Sequence, residues 1–279
     1  MSRFQIIGIM LVKNEDVFVE QAVRNVIHFC DRLIITDHQS LDHTFAICEH
    51  LAAEFSNIEL HKIDHAVESA QIIAPYYNTN TWIFAVDGDE VYDPEGLKNM
   101  RKYLLNDMFL GVWCIFGNVL NVAELDLKSG KARGYLSPPS RSITKLYNFS
   151  IIEDWLDCTT ERLHGGQIIF KPGFHSGLRL YLHDEMNWED AYFRCLHTTF
   201  LARSSRDINR LIETRSNPDE LHQVASIPGA FRRSFAWLRL RLKQFLKRDW
   251  KNRKYRRGML VTKDIRQFFP SRSNIIKIT

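Results

Sequence analysis

The stretch WIFAVDGDE, residues 82–90, places three acidic residues directly after a short apolar run. The apolar part, residues 82–86, is typical of a strand that is buried on both faces of a sheet. Asp87 and Asp89 are two positions apart, so in extended backbone their side chains point to the same side. Partly desolvated carboxylates are stabilised by a divalent cation, and a cation held by few carboxylates can also bind substrate phosphates. The stretch therefore predicts a metal site; an ordinary acidic turn between a strand and a helix is the alternative.

The sequence around this stretch alternates between strand-like and helix-like patterns. Apolar runs predict five strands, over residues 4–12, 33–35, 58–63, 82–86 and 109–122. Helical spacing of apolar residues predicts helices over residues 17–29, from residue 42, over residues 66–77 and from residue 93. This alternation predicts an α/β fold with a doubly wound, mostly parallel sheet. Sheets of this kind bind ligands at the carboxyl ends of their strands.

Polar residues follow the first two predicted strands at that edge. Lys13, Asn14 and Glu15 follow the first strand, and Asp37 ends the second. An acid in the position of Asp37 can accept hydrogen bonds from a nucleobase or a ribose. Asp42 and the threonine two residues later are better explained as the start of a helix, where such side chains cap the backbone.

Three stretches, taken together, resemble family 2 glycosyltransferases of the GT-A fold. They are LVKNE at residues 11–15, CDRLIITDHQSLDHT at residues 30–44, and WIFAVDGDE at residues 82–90. Their order and spacing both fit. The resemblance covers residues 5–125 and becomes weaker towards residue 200. One departure is His38-Gln39, at a position where a glycine often precedes the serine in the family.

The resemblance implies a Rossmann-like domain that transfers a sugar, with inversion, from a nucleoside diphosphate sugar. Asp87 and Asp89 would bind Mg2+ or Mn2+, and Asp87 would also contact the nucleotide. Asp37 would hold the base, and the nucleotide pocket would be lined by Val12, Lys13, Glu15 and Ser40. His197 resembles a late histidine that completes the metal shell in some GT-A enzymes; a histidine buried in the core is the alternative.

An inverting transfer needs a general base that takes the proton of the acceptor hydroxyl. In the family this base is an acid well downstream of the metal motif. Glu161, in TERLHGG at residues 160–166, is the first candidate, because the glycine pair allows a sugar to approach closely. Asp184 and Glu185 are the other candidates. For each of these acids a solvated surface position is the alternative.

Charge divides the chain into an acidic body and a basic tail. Residues 203–279 hold 20 Lys or Arg and 6 Asp or Glu, a net charge of +14, whereas residues 1–202 carry −10. We therefore predict a catalytic domain over residues 1–200 and a basic, mostly helical C-terminal extension over residues 201–279. Residues 231–257 combine apolar residues at helical spacing with 12 Lys or Arg. This combination predicts an interfacial helix on an anionic membrane surface.

Two alternatives for the tail are a helix packed on the acidic body and a nucleic-acid-binding segment. The second is disfavoured because the sequence contains no recognisable reader module. Five cysteines without a C-x-x-C pair favour a reducing compartment. No apolar run approaches the roughly 20 residues of a bilayer span. These features predict a cytoplasmic protein whose tail contacts the inner face of the membrane.

The function predicted from these features is metal-dependent transfer of a sugar to a glycan or lipid-linked acceptor, as in cell-surface glycan synthesis. A sugar-phosphate nucleotidyltransferase is one alternative, but it would need a glycine-rich phosphate loop where this chain has LVKNE. A non-catalytic adaptor of the same fold, binding a membrane or nucleic acid through the tail, is the other. Three clustered acids without a cation would only destabilise an adaptor, which argues against it.

Overall fold

The structure is a computed structural model. It describes residues 4–140, 145–162, 165–206 and 254–269, together with residues 229, 232, 234–236, 238 and 239. The elements up to residue 126 are β1 (Gln5–Val12), α1 (Val19–Val26), β2 (Arg32–Asp37), α2 (Thr44–Glu54), β3 (Ile58–Lys62), α3 (Val67–Ile73), β4 (Thr81–Ala85), β5 (Glu90–Tyr92), α4 (Pro94–Leu105), β6 (Cys114–Phe116) and β7 (Asn118–Asp126). The later elements are β8 (Lys131–Ser137), β9 (Lys145–Asn148), β10 (Ile152–Leu156), β11 (Gln167–Phe170), β12 (Arg179–Tyr181), α5 (Leu182–Glu185), β13 (Arg194–His197) and β14 (Leu260–Asp264). Short 3-10 helices cover Ala74–Tyr76, Phe149–Ile151 and Arg266–Phe268.

The largest sheet has seven strands in the order β12-β6-β9-β4-β1-β2-β3. All of them are parallel except β9, which runs antiparallel to both β4 and β6. The chain builds outward from β1 to β2 and β3, and then crosses to β4 on the other side of β1. The topological switch point therefore lies beside β1. The predicted α/β fold with a mostly parallel sheet is confirmed.

Alternate residues of β1 face two separate cores. Ile6 and Met10 pack with apolar residues of α1, α2 and α4 on one face of the sheet. Ile7 and Ile9 pack on the other face with Ile73 of α3 and with the side chains around β9 and β10. Side chains alternate between the faces of a strand, so packing on both faces buries all positions of β1 except Gln5 and Leu11, which are half-buried. This burial explains why β1 is a continuous apolar run rather than an alternating one.

A second sheet has five strands in the order β14-β8-β7-β13-β5. Its strand β5 begins directly after Asp89, so the acidic loop at residues 86–89 links β4 of the first sheet to β5 of the second. The prediction of one strand over residues 109–122 was wrong, because the chain forms β6 and β7 there with Gly117 between them. A Cβ at Gly117 would overlap the backbone carbonyl oxygen of Phe193. The close approach of these two chain segments is what divides the run between two sheets.

The described end of the tail belongs to the second sheet. β14 pairs antiparallel with β8, and Ile265 and Phe268 are fully buried next to it. Asn25 of α1 donates a hydrogen bond to the Phe268 carbonyl oxygen at 2.9 Å. The predicted interfacial helix at residues 231–257 lies mostly outside the described residues, and the domain boundary at residue 200 stays a prediction. Among the described residues, no helix is both long enough and apolar enough to span a bilayer.

Candidate active site

The two aspartates of the acidic loop lie beside His197, the last residue of β13. One oxygen of Asp87, one oxygen of Asp89 and one ring nitrogen of His197 all lie within 4.8 Å of one another. All three residues are buried. The loop follows β4 at the carboxyl edge of the parallel sheet, next to the switch point, where ligands of doubly wound folds bind. The structure therefore brings together the three side chains that the sequence predicts as metal ligands.

Strand pairing places His197 at this position. In the second sheet, His197 is opposite Glu90 of β5 and opposite Asn121 of β7. Thr198 then ties the end of β13 to the acidic loop, because its backbone N–H and its hydroxyl both donate to the Asp89 carbonyl oxygen, at 3.0 and 3.2 Å. The histidine and the acids come from distant parts of the chain, and this pairing determines their separation.

Asn121 orients the His197 ring. The Asn121 amide nitrogen donates to Ser140 Oγ at 2.7 Å and to the Tyr135 carbonyl oxygen at 3.4 Å, so its amide oxygen faces the histidine. That oxygen lies 2.9 Å from His197 Nδ1. Because an amide oxygen only accepts hydrogen bonds, Nδ1 carries a proton, and in the neutral imidazole Nε2 then presents its lone pair. Nε2 is the nitrogen that faces Asp89, 3.7 Å from Oδ1.

This donor set fits a divalent cation. Two carboxylate oxygens and one neutral imidazole nitrogen suit Mn2+, and the carboxylates also suit Mg2+. A metal-binding histidine usually donates its other ring N–H to a fixed acceptor, as His197 does to Asn121. Asp87, Asp89 and His197 are therefore the residues that could hold a metal ion in the described part of the chain.

Two arginines form ion pairs with acids of this site. Arg162 Nη2 lies 2.6 Å from Asp87 Oδ1. Arg203 Nη1 pairs with Glu15 Oε1 and lies 3.4 Å from Asp89 Oδ2. Burial raises the pKa of Asp87, although Arg162 opposes this effect. Burial likewise raises the pKa of Glu15 to about 8, against the attraction of Arg203. The site thus holds more negative charge than its two arginines stabilise.

Gly88 is closely packed against the end of β1. A Cβ at this position would overlap Glu15 Oε2 and would lie 3.0 Å from Val12 Cγ1. The acidic loop therefore rests directly on the end of β1. Glu15, which the sequence predicts as a nucleotide ligand, lies beneath this loop and pairs with Arg203. Its part in nucleotide binding stays a prediction.

The loops after β1 and β2 form one connected edge beside the acids. Val12 is opposite Asp37 in the parallel register, and the His38 N–H donates to the Val12 carbonyl oxygen at 2.9 Å. The Asn14 N–H donates to Ser40 Oγ at 3.0 Å, which ties the two loops together. Four predicted nucleotide ligands lie on this edge: Val12, Lys13, Asp37 and Ser40.

Asp37 is the residue of this edge that is hardest to explain by packing. It is 1% exposed, and its Oδ2 accepts a hydrogen bond from the Ser40 N–H at 3.0 Å. Its Oδ1 has no hydrogen-bond partner among the described residues. A buried oxygen without a partner costs free energy unless a ligand satisfies it. Burial lowers the pKa of the neighbouring Lys13, whose charge interacts with Asp37.

The structure separates the three candidate general bases. Glu161 is 1% exposed and accepts a hydrogen bond from Ser69 Oγ at 3.0 Å through Oε2. Its Oε1 lies 3.3 Å from Nε of Arg162, the same arginine that binds Asp87. Burial raises the pKa of Glu161, ahead of the opposing effect of Arg162. Glu161 is therefore linked to Asp87, one of the three residues that could hold a metal ion, through a single side chain.

Asp184 and Glu185 lie elsewhere. Both are exposed on α5, which follows β12 at the edge of the sheet. β12 is three strands away from β4, or about 14 Å at the usual strand spacing. Among the described residues, neither acid has a hydrogen bond or an ion pair to Asp87, Asp89 or His197. Their catalytic role stays a prediction, and their surroundings are those of a solvated surface.

Sequence reasoning missed three residues of the site. Asn121 is a buried amide within an apolar strand, and that interruption of the apolar run was the available signal. Arg162 follows Glu161 directly, but nothing in the sequence linked it to Asp87. Arg203 lies 188 residues from Glu15, and no local pattern indicates this pairing.

No family model matches the chain, and no curated protein matches it. A solved structure of glucosyl-3-phosphoglycerate synthase from Mycobacterium tuberculosis, in complex with Mn2+, UDP and glucosyl-3-phosphoglycerate, matches at 15% identity over 41% of this chain and 43% of that chain, with a TM-score of 0.32. Another structure of the same synthase contains Mg2+ and UDP. This chain thus covers less than two thirds of the length of the synthase.

Two further solved structures match. A mannosyltransferase from Pyrobaculum calidifontis, in complex with GDP-Man and Mn2+, matches at 12% identity over 91% of this chain and 73% of that chain, with a TM-score of 0.41. A 4-diphosphocytidyl-2C-methyl-D-erythritol synthase from Anaerococcus prevotii matches at 9% identity over 52% of this chain and 70% of that chain, with a TM-score of 0.31. Similarity at this level assigns no activity to the chain, so its function has to be inferred from the residues of the site.

Proposed function

We propose that this protein is a metal-dependent glycosyltransferase that moves a sugar from a nucleoside diphosphate sugar to a glycan or lipid-linked acceptor, with inversion. The observation that carries the proposal is the convergence of Asp87, Asp89 and His197 at the switch point of a parallel sheet. Buried Glu161 is linked to the same group through Arg162. The resemblance of the LVKNE, CDRLIITDHQSLDHT and WIFAVDGDE stretches to family 2 glycosyltransferases supports the same function.

Asp87, Asp89 and His197 Nε2 would hold Mg2+ or Mn2+. A cation bound there offsets the negative charge that develops on a leaving diphosphate. His197 is preorganised for this role, because the hydrogen bond from Nδ1 to Asn121 fixes the ring and directs Nε2 towards Asp89. The three side chains therefore need little rearrangement to bind the ion.

The edge formed by the loops after β1 and β2 would hold the nucleoside. Asp37 Oδ1 would accept a hydrogen bond from the base, which would satisfy an oxygen that has no partner among the described residues. Val12 and Lys13 would line the pocket, with Ser40 tying the two loops together. The nucleoside would then lie beside the acidic loop, with its diphosphate directed towards Asp87 and Asp89.

Glu161 would act as the general base. The acceptor hydroxyl oxygen attacks the anomeric carbon, the bond from that carbon to the diphosphate breaks, and Glu161 Oε1 takes the hydroxyl proton. Ser69 holds Oε2, so Oε1, which lies 3.3 Å from Arg162 Nε, is the oxygen that would take the proton. A carboxyl whose pKa is raised by burial is a stronger base than a solvated one.

Thermal unfolding in the presence of nucleotide sugars tests the donor site. UDP-, GDP- and CMP-sugars would each be added with and without Mn2+, to the wild type and to Asp89→Asn. A ligand at about 100 times its Kd should raise the Tm by roughly 5–8 °C, because it binds only the folded state. We expect a shift for one nucleotide class, dependent on Mn2+ and lost in Asp89→Asn. Asp190→Asn, an exposed acid, is the control and should keep the shift.

The outcomes of this experiment also separate the alternatives. No shift with any nucleotide, in protein that unfolds cooperatively, would contradict the transferase and favour the adaptor. Release of pyrophosphate from a nucleoside triphosphate would instead indicate a nucleotidyltransferase. Formation of a nucleoside diphosphate from the stabilising sugar donor, on addition of an acceptor, is the result that we expect.

Substitution of Glu161 tests the general base. We expect Glu161→Gln to lower kcat by about 10²- to 10⁴-fold, because the amide cannot accept the proton. The thermal shift with donor should persist, since Glu161 has no predicted contact with the nucleotide. The matched variants Asp184→Asn and Glu185→Gln should keep kcat close to the wild-type value. A larger loss in either of them would reassign the base to α5.

The lipid-linked acceptor depends on the predicted helix at residues 231–257. Sedimentation with anionic vesicles, compared with vesicles of zwitterionic lipid, tests whether the chain binds such a surface. Binding should fall as salt is added, because the attraction of Lys and Arg to anionic lipid is screened. Equal sedimentation with both kinds of vesicle would leave a soluble glycan as the proposed acceptor.

A further inference from the structure

The Arg162 side chain lies on a carboxylate that a metal ion would need. Its Nη2 is 2.6 Å from Asp87 Oδ1, and its Nε is 3.3 Å from Glu161 Oε1. Asp87 Oδ1 therefore already has a strong cationic partner. A divalent cation and a guanidinium repel each other at these distances, so each would weaken the binding of the other to Asp87.

The local structure lets the Arg162 side chain move while its backbone stays in place. The Tyr147 hydroxyl, on a buried side chain, donates to the Arg162 carbonyl oxygen at 2.7 Å. The Arg162 side chain itself is 44% exposed, whereas the side chain of Asp87 is only 11% exposed. A change of rotamer can therefore take the guanidinium from Asp87 towards solvent without moving the chain.

Arg203, the second arginine of the site, is held more firmly. Its side chain is 17% exposed and contacts Glu15 as well as Asp89. Its carbonyl oxygen accepts a hydrogen bond from the Val17 N–H at 3.0 Å. If Asp89 binds a metal ion, Glu15 still pairs with Arg203. Arg162, whose Nη2 lies 2.6 Å from Asp87 Oδ1, is therefore the arginine that would compete most directly with the ion.

A guanidinium released beside Asp87 would lie next to the donor diphosphate. Arginine forms paired hydrogen bonds with phosphate oxygens and keeps its charge at any ordinary pH. We propose that Arg162 exchanges partners: it binds Asp87 when no cation is present, and it binds the diphosphate of the nucleotide once a cation occupies Asp87. This inference rests on the proposed function, and it assigns to Arg162 a role in coupling metal binding to donor binding.

Binding of Mn2+ alone, followed by electron paramagnetic resonance, tests the first half of the exchange. In Arg162→Gln, we expect the Kd for Mn2+ to fall by roughly three- to tenfold, because a partly exposed ion pair no longer competes. Arg162→Lys should bind Mn2+ with nearly wild-type affinity, since it keeps a cation beside Asp87. Arg133→Gln, which removes an exposed arginine paired with Glu124 in the second sheet, is the matched control and should leave the Kd unchanged.

Binding of UDP and GDP at saturating Mn2+, measured by calorimetry, tests the second half. For the nucleotide that the wild type binds, we expect Arg162→Gln to raise the Kd about tenfold or more, through loss of a charged hydrogen bond. Tighter Mn2+ binding together with weaker nucleotide binding supports the exchange. Unchanged or weaker Mn2+ binding in Arg162→Gln overturns it, as does unchanged nucleotide binding.

These outcomes are independent of catalysis. If the opposite changes in Mn2+ and nucleotide binding occur but no sugar donor is consumed, the exchange stands and the transferase proposal fails. If a donor is consumed but Arg162→Gln lacks either change, the transferase proposal stands and the exchange fails. Circular dichroism of each variant establishes that the comparison is made on folded protein.

Discussion

Gly88 separates the two aspartates of the site and rests against Glu15 and Val12. A Cβ there would overlap Glu15 Oε2. We expect Gly88→Ala to lower the free energy of unfolding by about 1–3 kcal/mol, because an added methyl group in filled space displaces its neighbours. Urea denaturation measures this change. Gly111→Ala is the matched control, since a Cβ there meets no atom within 4 Å, and its effect should stay within about 0.5 kcal/mol. Equal losses in both variants would contradict the steric explanation.

Asn121 acts on the site through His197. We expect Asn121→Ala to raise the Kd for Mn2+ by roughly 10- to 100-fold, because loss of the acceptor for Nδ1 frees the ring to rotate and to change its protonated nitrogen. Electron paramagnetic resonance of Mn2+ measures the Kd. Asn118→Ala, on the same strand but bonded to the Met186 carbonyl oxygen, is the control and should bind Mn2+ normally. A similar loss in both variants would indicate general damage to β7.

At the scale of elements, Asp42 joins the start of α2 to the segment that follows β13. Its Oδ1 accepts hydrogen bonds from the Thr44 N–H and hydroxyl, at 2.9 and 2.5 Å, and its Oδ2 accepts one from Ser204 Oγ at 2.6 Å. The prediction that Asp42 caps a helix was wrong in its position, because His43 is the N-cap of α2 and Asp42 precedes it, accepting the N–H of the first helical residue, Thr44. The bond to Ser204 is additional, and it holds the chain next to Arg203, which pairs with the acids of the site.

The stabilising effect of Asp42 should depend on pH. Burial raises its pKa, but hydrogen bonds from Ser204 and Thr44 outweigh burial and hold the pKa below the ordinary value of 3.8. A group with a depressed pKa stabilises the fold above its ordinary pKa, and this contribution is lost as the pH falls through the lower, folded-state pKa. We expect Asp42→Ala to lower the free energy of unfolding by about 1–2 kcal/mol at pH 7. The difference in the free energy of unfolding between this variant and the wild type should become smaller below pH 3.8.

Urea denaturation at pH 7, 5 and 3 measures this dependence. Glu153→Ala, at an exposed position, is the control. Its free energy of unfolding should differ little from that of the wild type, and this difference should not change with pH as it does for Asp42→Ala. A difference for Asp42→Ala that stays constant down to pH 3 would show that the carboxylate charge contributes nothing at this position.

At the scale of the whole molecule, the described end of the tail stabilises the body. Phe268 is fully buried, stacks on Trp188 at 5.8 Å between ring centroids and lies beside α1. We expect Phe268→Ala to lower the free energy of unfolding by about 3–5 kcal/mol, the usual cost of truncating a core aromatic. Phe235→Ala is the control, because Phe235 is 54% exposed and its replacement should change the free energy of unfolding only slightly. A small effect at Phe268 would mean that residues 254–269 can leave the body without unfolding it.

Prediction from sequence succeeded for features that depend on neighbouring residues. The runs at residues 4–12, 33–35 and 82–86 form strands close to the predicted bounds, because burial on both faces leaves a continuous apolar signal. The weaker pattern at residues 58–63 also forms a strand, β3, which is half-buried at the edge of the sheet. The run at residues 109–122 was misjudged because its division into β6 and β7 depends on contact with Phe193, which is far along the chain. The same limit applies to the three candidate bases. Glu161 is buried whereas Asp184 and Glu185 are exposed, and the sequence around a single acid does not predict its exposure.

The sequence by itself determined the α/β alternation and the position of the acidic loop at a carboxyl strand end. Both follow from the local periodicity of apolar residues and from polar residues at strand ends. Only the tertiary structure decided which distant side chains meet that loop. His197 and Asn121 are 76 residues apart, and Arg203 and Glu15 are 188 apart. Their contacts come from strand pairing across two sheets, whose free energy is spread over many backbone hydrogen bonds and buried side chains, so no short stretch of sequence encodes them.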